Sequence, residues 1–180
     1  MSLLRQLFGI NDTAADTPGG KTGTDTETVR RITEALDAME PEKARYIASF
    51  AYTLSRVAHA DLDVSQEETR EMEKIIVERG GLPQEQAIIA VQIAKTQSLL
   101  FGSTENYLVT REFGHMATRE QKLSLLDCLF AVSAADESVS TVEDNEIRKI
   151  TEELKLDHDD FIAARLRYRD YLAVLKKRPS

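Results

Sequence analysis

From Glu27 to the C-terminus, apolar positions recur at the three-and-four spacing of amphipathic helices. "TETVRRITEALDAM" sets Val29, Ile32, Ala35, Leu36 and Met39 on one stripe. Pro41 suits the first turn of a second helix, over about 42–60, because its missing N–H costs nothing there. That helix is apolar at Tyr46, Ile47, Phe50, Ala51, Leu54, Val57 and Ala58. So wide a stripe predicts a central helix. A third helix runs from Gln66 to Arg79 and stops at Gly80–Gly81. A fourth begins near Pro83 and is stopped by Gly102, and a shorter one covers about 104–116. Thr118 and Gln121 form a capping box for a second wide-striped helix carrying Leu123, Leu126, Leu129 and Phe130. A helix through "EDNEIRKITEELK" and a long final one from Asp157 complete the chain.

The pattern repeats. A shift of 75 residues superposes Val57, Ala60, Asp61, Val64, Ser65, Glu68, Glu71, Lys74 and Ile75 on Val132, Ala135, Asp136, Val139, Ser140, Glu143, Glu146, Lys149 and Ile150. These are nine identities in nineteen positions. Phe50 and Leu54 fall on Leu125 and Leu129. Each unit is thus a central helix, an acidic turn and an amphipathic helix, and two units are too few for a solenoid. The expected fold is an all-α bundle of about seven or eight helices, built from two similar halves with two central helices packed about a pseudo-twofold. Residues 11–26, "NDTAADTPGGKTGTDT", have almost nothing to bury. Residues 1–26 therefore read as a flexible N-terminal segment and linker, and 27–180 as one helical domain.

Composition narrows the function. Among 180 residues, 42% are hydrophobic and 30% charged, with 8 Gly and 4 Pro, as expected for a helical globular protein. The net charge of −8 excludes a sequence-independent nucleic-acid binder, which needs a basic stripe against the phosphates. The single cysteine, Cys128, cannot form an internal disulfide and reads as a small buried hydrophobe, in keeping with a cytoplasmic protein. No segment has the length and apolarity of a membrane span. "MSLLRQLFGI" (1–10) is apolar at helical spacing and is a candidate for peripheral membrane contact or for docking on a partner.

The chemistry concentrates in "HADLDVSQEE" (59–68) and its echo "AADESVSTVE" (134–143). Ser65 with Glu68, and Ser140 with Glu143, are S-x-x-E capping boxes. Asp61 and Asp136 are left over. They suit an Asx-type turn, or a divalent-cation site with Glu68 and Glu71 in one copy and Glu143 and Glu146 in the other. Asp61, Asp63 and Ser65 imitate the first half of a calcium loop, but Gln66 and Met72 stand where the loop needs its glycine and bidentate glutamate. His59, His115 and His158 form no ligand motif, and there is no phosphate loop or nucleophile elbow.

"RVAHADLDVSQEETREMEKII" and "AVSAADESVSTVEDNEIRKIT" both resemble the signature of the tellurite-resistance TerB-like family: alanines, an Asp, a short turn, Val-Ser, then Glu and an apolar helix. The likeness spans about residues 27–175. It implies an all-helical domain of two similar halves, found in bacterial stress-related proteins and proposed to bind metal ions through acidic residues. By position those residues are Asp61, Glu68, Glu71, Asp136, Glu143 and Glu146. Leu62–Asp63 and Glu137–Ser138 stand where a Gly-Glu type pair is common in that family. The expectation is a cytoplasmic, non-enzymatic TerB-like binding or scaffolding module, with a divalent metal ion as its candidate cofactor. Its expected partner is a protein, a second copy of the chain included. The alternative is a metal-dependent enzyme using the same carboxylates. No catalytic residue is assigned.

Overall fold

The two wide-striped helices form the centre of the molecule, and the rest pack around them. A computed structural model describes residues 22–58, 65–96, 106–135 and 137–176. Within these lie eight α-helices: α1 (Thr22–Asp37), α2 (Pro41–Ser55), α3 (Gln66–Glu78), α4 (Gln84–Lys95), α5 (Asn106–Met116), α6 (Arg119–Ala134), α7 (Thr141–Glu153) and α8 (His158–Arg167). Two 3-10 turns, Arg169–Tyr171 and Ala173–Leu175, follow. The all-α bundle expected from the periodicity is the fold observed.

Helix α2 is buried around almost its whole circumference, from Ala44 through Ile47 to the continuous run Ala48–Leu54. Leu125–Phe130 and Val132–Ala134 do the same for α6. The two central helices touch, and α2 packs chiefly on α4 and α5. Helix α3 lies against α4 and α6, while α7 lies against α5, α6 and α8. Aromatic rings fix these crossings. Phe113 of α5 sits 5.2 Å from Tyr46 and 6.1 Å, edge-on, from Phe50. Phe130 of α6 stacks on Tyr168 at 5.7 Å and meets Phe161 of α8 at 5.9 Å. Edge-on and offset rings at such distances contribute roughly 1 kcal/mol beyond the area they bury.

The duplication is built into the helix lengths. Helices α3 and α7 are each 13 residues long and start 75 residues apart, behind Ser65 and Ser140. The serine hydroxyl accepts from the N3 amide at 3.2 Å in both copies. The glutamate Oε2 accepts from the serine's own N–H, at 2.7 Å for Glu68 and 2.8 Å for Glu143. Each box satisfies two amides that the first turn cannot pair internally. Thr118 and Gln121 repeat the arrangement at α6.

Four boundaries differ from the periodicity. Helix α2, expected to about residue 60, ends at Ser55. Helix α1 starts at Thr22, inside the stretch expected as linker; its N-terminal segment, 1–21, lies outside the described residues. Helix α4 ends at Lys95, short of Gly102. The long final helix breaks at Tyr168, because tertiary contacts take the chain off the helix path. The Tyr168 hydroxyl lies 3.2 Å from Asp127 Oδ1, and Val139 then forms a parallel bridge with Leu172. The Val139 N–H donates to the Tyr171 carbonyl at 2.7 Å, and the Ala173 N–H donates to the Val139 carbonyl at 2.9 Å. The C-terminal segment thereby straps the second acidic turn. Its Lys176 ammonium donates to the carbonyl of Glu137, a residue held at φ 62°.

Candidate functional site

The six carboxylates singled out in the sequence divide into different jobs. Asp61 and Asp136 lie outside the described residues. Glu68 and Glu143 are capping groups, and the Ser65 backbone N–H followed by the Ser65 hydroxyl holds the Glu68 carboxyl below its ordinary value. Glu71 is exposed on α3 and lines a pocket of about 240 Å³ between α3 and α6. Glu146 is committed to an arginine. Among the described residues, no three His, Cys, Asp or Glu side chains converge to hold a metal ion.

That arginine, Arg56, follows directly after α2 and was not singled out by its position in "LSRVAH". Its side chain is 5% exposed. It donates from Nε and Nη2 to Glu146 at 2.9 and 2.6 Å, and from Nη1 to Glu153 at 2.5 Å and to the Thr110 hydroxyl at 2.7 Å. Burial works against its charge, but its hydrogen bonds to Glu153 and Glu146 outweigh that and raise its pKa. One side chain therefore pins the end of α2 to α5 and α7. Asp127 does similar work from within the apolar "LLDCLF" run. Its carboxylate meets Arg167 at 3.0 Å, Arg79 at 3.5 Å and the Tyr168 hydroxyl. A charge on an otherwise apolar stripe was the available sequence signal for both residues. Burial, and then the neighbouring Asp127, push the Cys128 thiol far up. It stays a protonated core side chain and offers no thiolate.

A larger concavity lies elsewhere, between the N-terminal ends of α2, α4 and α6 and the C-terminal end of α5. It is an open cleft of about 790 Å³. Tyr46, Leu82, Pro83 and Met116 give it an apolar floor. Glu40, Glu42, Glu112 and Glu120 line it against two cationic side chains, Lys43 and Arg45. Local chemistry places each part. Pro41 sets the start of α2, so Glu40 and Glu42 are held at the helix mouth, where acids suit the dipole. Gly80 lets the α3–α4 turn close: a Cβ there would lie 2.6 Å from the Ile76 carbonyl oxygen and 2.9 Å from Phe50 Cζ. Gly81 follows at φ +70°, a conformation that disfavours side chains. Burial, followed by the nearby Cys128, pushes the Tyr46 hydroxyl up to about 12, so it stays a neutral donor on the cleft floor.

With this geometry in place, comparison with known families is decisive. The family model described as Tellurite resistance protein TerB matches residues 47–166. The chain belongs to the TerB family. The match runs from the middle of α2 to the last turn of α8, and so takes in both copies of the helix–turn–helix unit and the two central helices. No curated protein and no solved structure matches the chain. Among the described residues, no helix of this TerB-family protein is long and apolar enough to cross a membrane.

One prediction follows from the caps. Ser140→Ala removes a half of the box on α7 and is expected to lower the unfolding free energy by about 1 kcal/mol, measured by urea denaturation. Glu143→Ala in the same background should cost more again, because its carboxylate accepts from the Ser140 backbone N–H, which the first substitution leaves in place.

Proposed function

We propose that this TerB-family chain is a non-catalytic binding module of a tellurite-resistance-type bacterial stress response, acting in the cytoplasm by engaging a protein partner. The observation that carries this reading is the acidic cleft beside α2. Four carboxylates face two cations over an apolar floor, which fits a positively charged segment bearing an apolar anchor. The cleft is also rigidly framed, with the α2 mouth, the Gly80–Pro83 turn and the α6 capping box all fixed by local hydrogen bonds or packing.

Charge reversal at the cleft tests it. Cross-linked capture from a bacterial lysate with the wild type and with E42K/E112K is expected to give a basic partner that the variant loses and that high salt weakens. Equal capture by both proteins, once circular dichroism shows the variant folded, would remove the cleft from the binding surface. The divalent-ion reading of the acidic turns has its own arm. Calorimetric titration with calcium, magnesium, manganese and zinc is compared between the wild type and D61A/D136A. Heat absent from the variant supports an ion at the turns, and no heat in either leaves Glu68 and Glu143 as caps alone.

A further inference from the structure

The two halves of the molecule are not equally complete. In the second half, Glu146 and Glu153 stand two turns apart on α7 and clamp the guanidinium of Arg56 between them. The same 75-residue shift that relates the acidic turns carries Glu146 to Glu71 and Glu153 to Glu78, at the same register of α3. Both carboxylates of the clamp are thus present twice. The arginine is not, because Arg56 corresponds to Ala131. What occupies the equivalent place in the first half is a pocket of about 240 Å³ between α3 and α6. Glu71 and Glu78 line it together with Lys74 and Arg79, Ala131 and Ala134 face them from α6, and Tyr168 and Tyr171 border it.

We infer that this pocket takes a guanidinium group from outside the chain, the side chain of an arginine presented by a partner protein. Four features select that chemistry. Glu71 and Glu78 are seven residues apart on one helix face, about 10 Å along the axis. That spacing suits a planar fork with donors on opposite edges, as Arg56 demonstrates on Glu146 and Glu153, better than a metal ion whose ligands crowd within about 2.5 Å of it. Both glutamates are exposed and make no ion pair with another described residue, the Lys74 that shares the pocket included. The neighbouring Arg79 turns its own guanidinium toward Asp127, and the small side chain of Ala131 leaves room where Arg56 fills the other clamp. Tyr171, 42% exposed, supplies an aromatic face of the kind on which guanidinium groups stack. The pocket is separate from the cleft beside α2, and the inference does not rest on the cleft's role.

The probe is N-acetyl-arginine amide, whose only charge is the guanidinium, titrated into the full chain labelled with nitrogen-15. N-acetyl-citrulline amide is the neutral isostere and N-acetyl-lysine amide the other cation. The arginine probe is expected to shift amides at 74–79, 131–135 and 168–172. Citrulline should leave them unmoved, and lysine should bind more weakly. E71Q/E78Q, which changes only exposed side chains, should weaken the arginine response about tenfold or more. Ala131→Arg, which supplies the missing arginine internally, should abolish it, while the cleft variant E42K/E112K should leave it intact. Equal shifts from citrulline, equal affinity for lysine, or an unchanged response in E71Q/E78Q would each overturn the assignment.

Discussion

Replacing Arg56 with alanine is expected to lower the unfolding free energy by about 3 kcal/mol, read by urea denaturation at neutral pH. The loss comes from what the arginine leaves behind. Glu146 and Glu153, with side chains 24% and 16% exposed, would face each other across the space the guanidinium filled. Thr110, fully buried on α5, would lose the donor it accepts from. Partial access to water limits the penalty to the lower end of what unpaired buried charges cost. A graded series identifies the mechanism. Arg56→Met keeps much of the packing but not the charge, and it should be nearly as damaging as alanine. Adding E146Q and E153Q to Arg56→Met should restore much of the loss, because the repulsion disappears with the charges. A loss under about 1 kcal/mol in Arg56→Ala would show the cluster behaving as an exposed ion pair.

Phe50→Ala should cost about 4 kcal/mol. Phe50 is fully buried at the middle of α2, with Tyr46 and Phe113 rings at 6.2 and 6.1 Å. Its ring edge also closes against Gly80, so one side chain supports both the α2–α5 crossing and the turn that forms a wall of the cleft. Truncation should therefore loosen the cleft as well as destabilise the bundle. Hydrogen exchange is expected to rise at 80–82 in Phe50→Ala more than in Phe130→Ala, whose ring packs on α8 instead. Phe50→Leu should recover about half the stability, since most of the volume returns while the edge-on aromatic contact does not. Equal exchange at 80–82 in the two alanine variants would separate the cleft wall from this ring.

These effects differ in how visible they were beforehand. The burial of Phe50 follows from its place on the wide stripe of α2, and Leu125 and Leu129 of α6 repeat that logic 75 residues later. The capping boxes at Ser65, Thr118 and Ser140 were equally legible, because a cap joins residues three apart whatever the rest of the chain does. Arg56 was not. Its partners Glu146 and Glu153 are 90 and 97 residues away, and no local rule announces which helix will face it. The same holds for Asp127, whose partners come from the end of α3 and from the C-terminal end of α8. The final helix shows the opposite error. Its apolar spacing continues past Tyr168, yet the bridge between Val139 and Leu172 and the contact of Tyr168 with Asp127 take the chain elsewhere.

The candidate site followed the same division. The acidic turns stood out because they repeat, and the repeat assigned equal roles to Glu71 and Glu146 and to Glu68 and Glu143. Tertiary structure separated the first pair. Glu146 meets an arginine from α2, whereas Glu71 faces an alanine from α6 across an open pocket. By itself the sequence determined the helices, their caps, the two-unit plan and TerB-like character, since these depend on contacts within about four residues and on the repeat. Only the docked bundle decided which carboxylates are paired, which are free and where the cleft opens, because those outcomes depend on which helix faces are brought together.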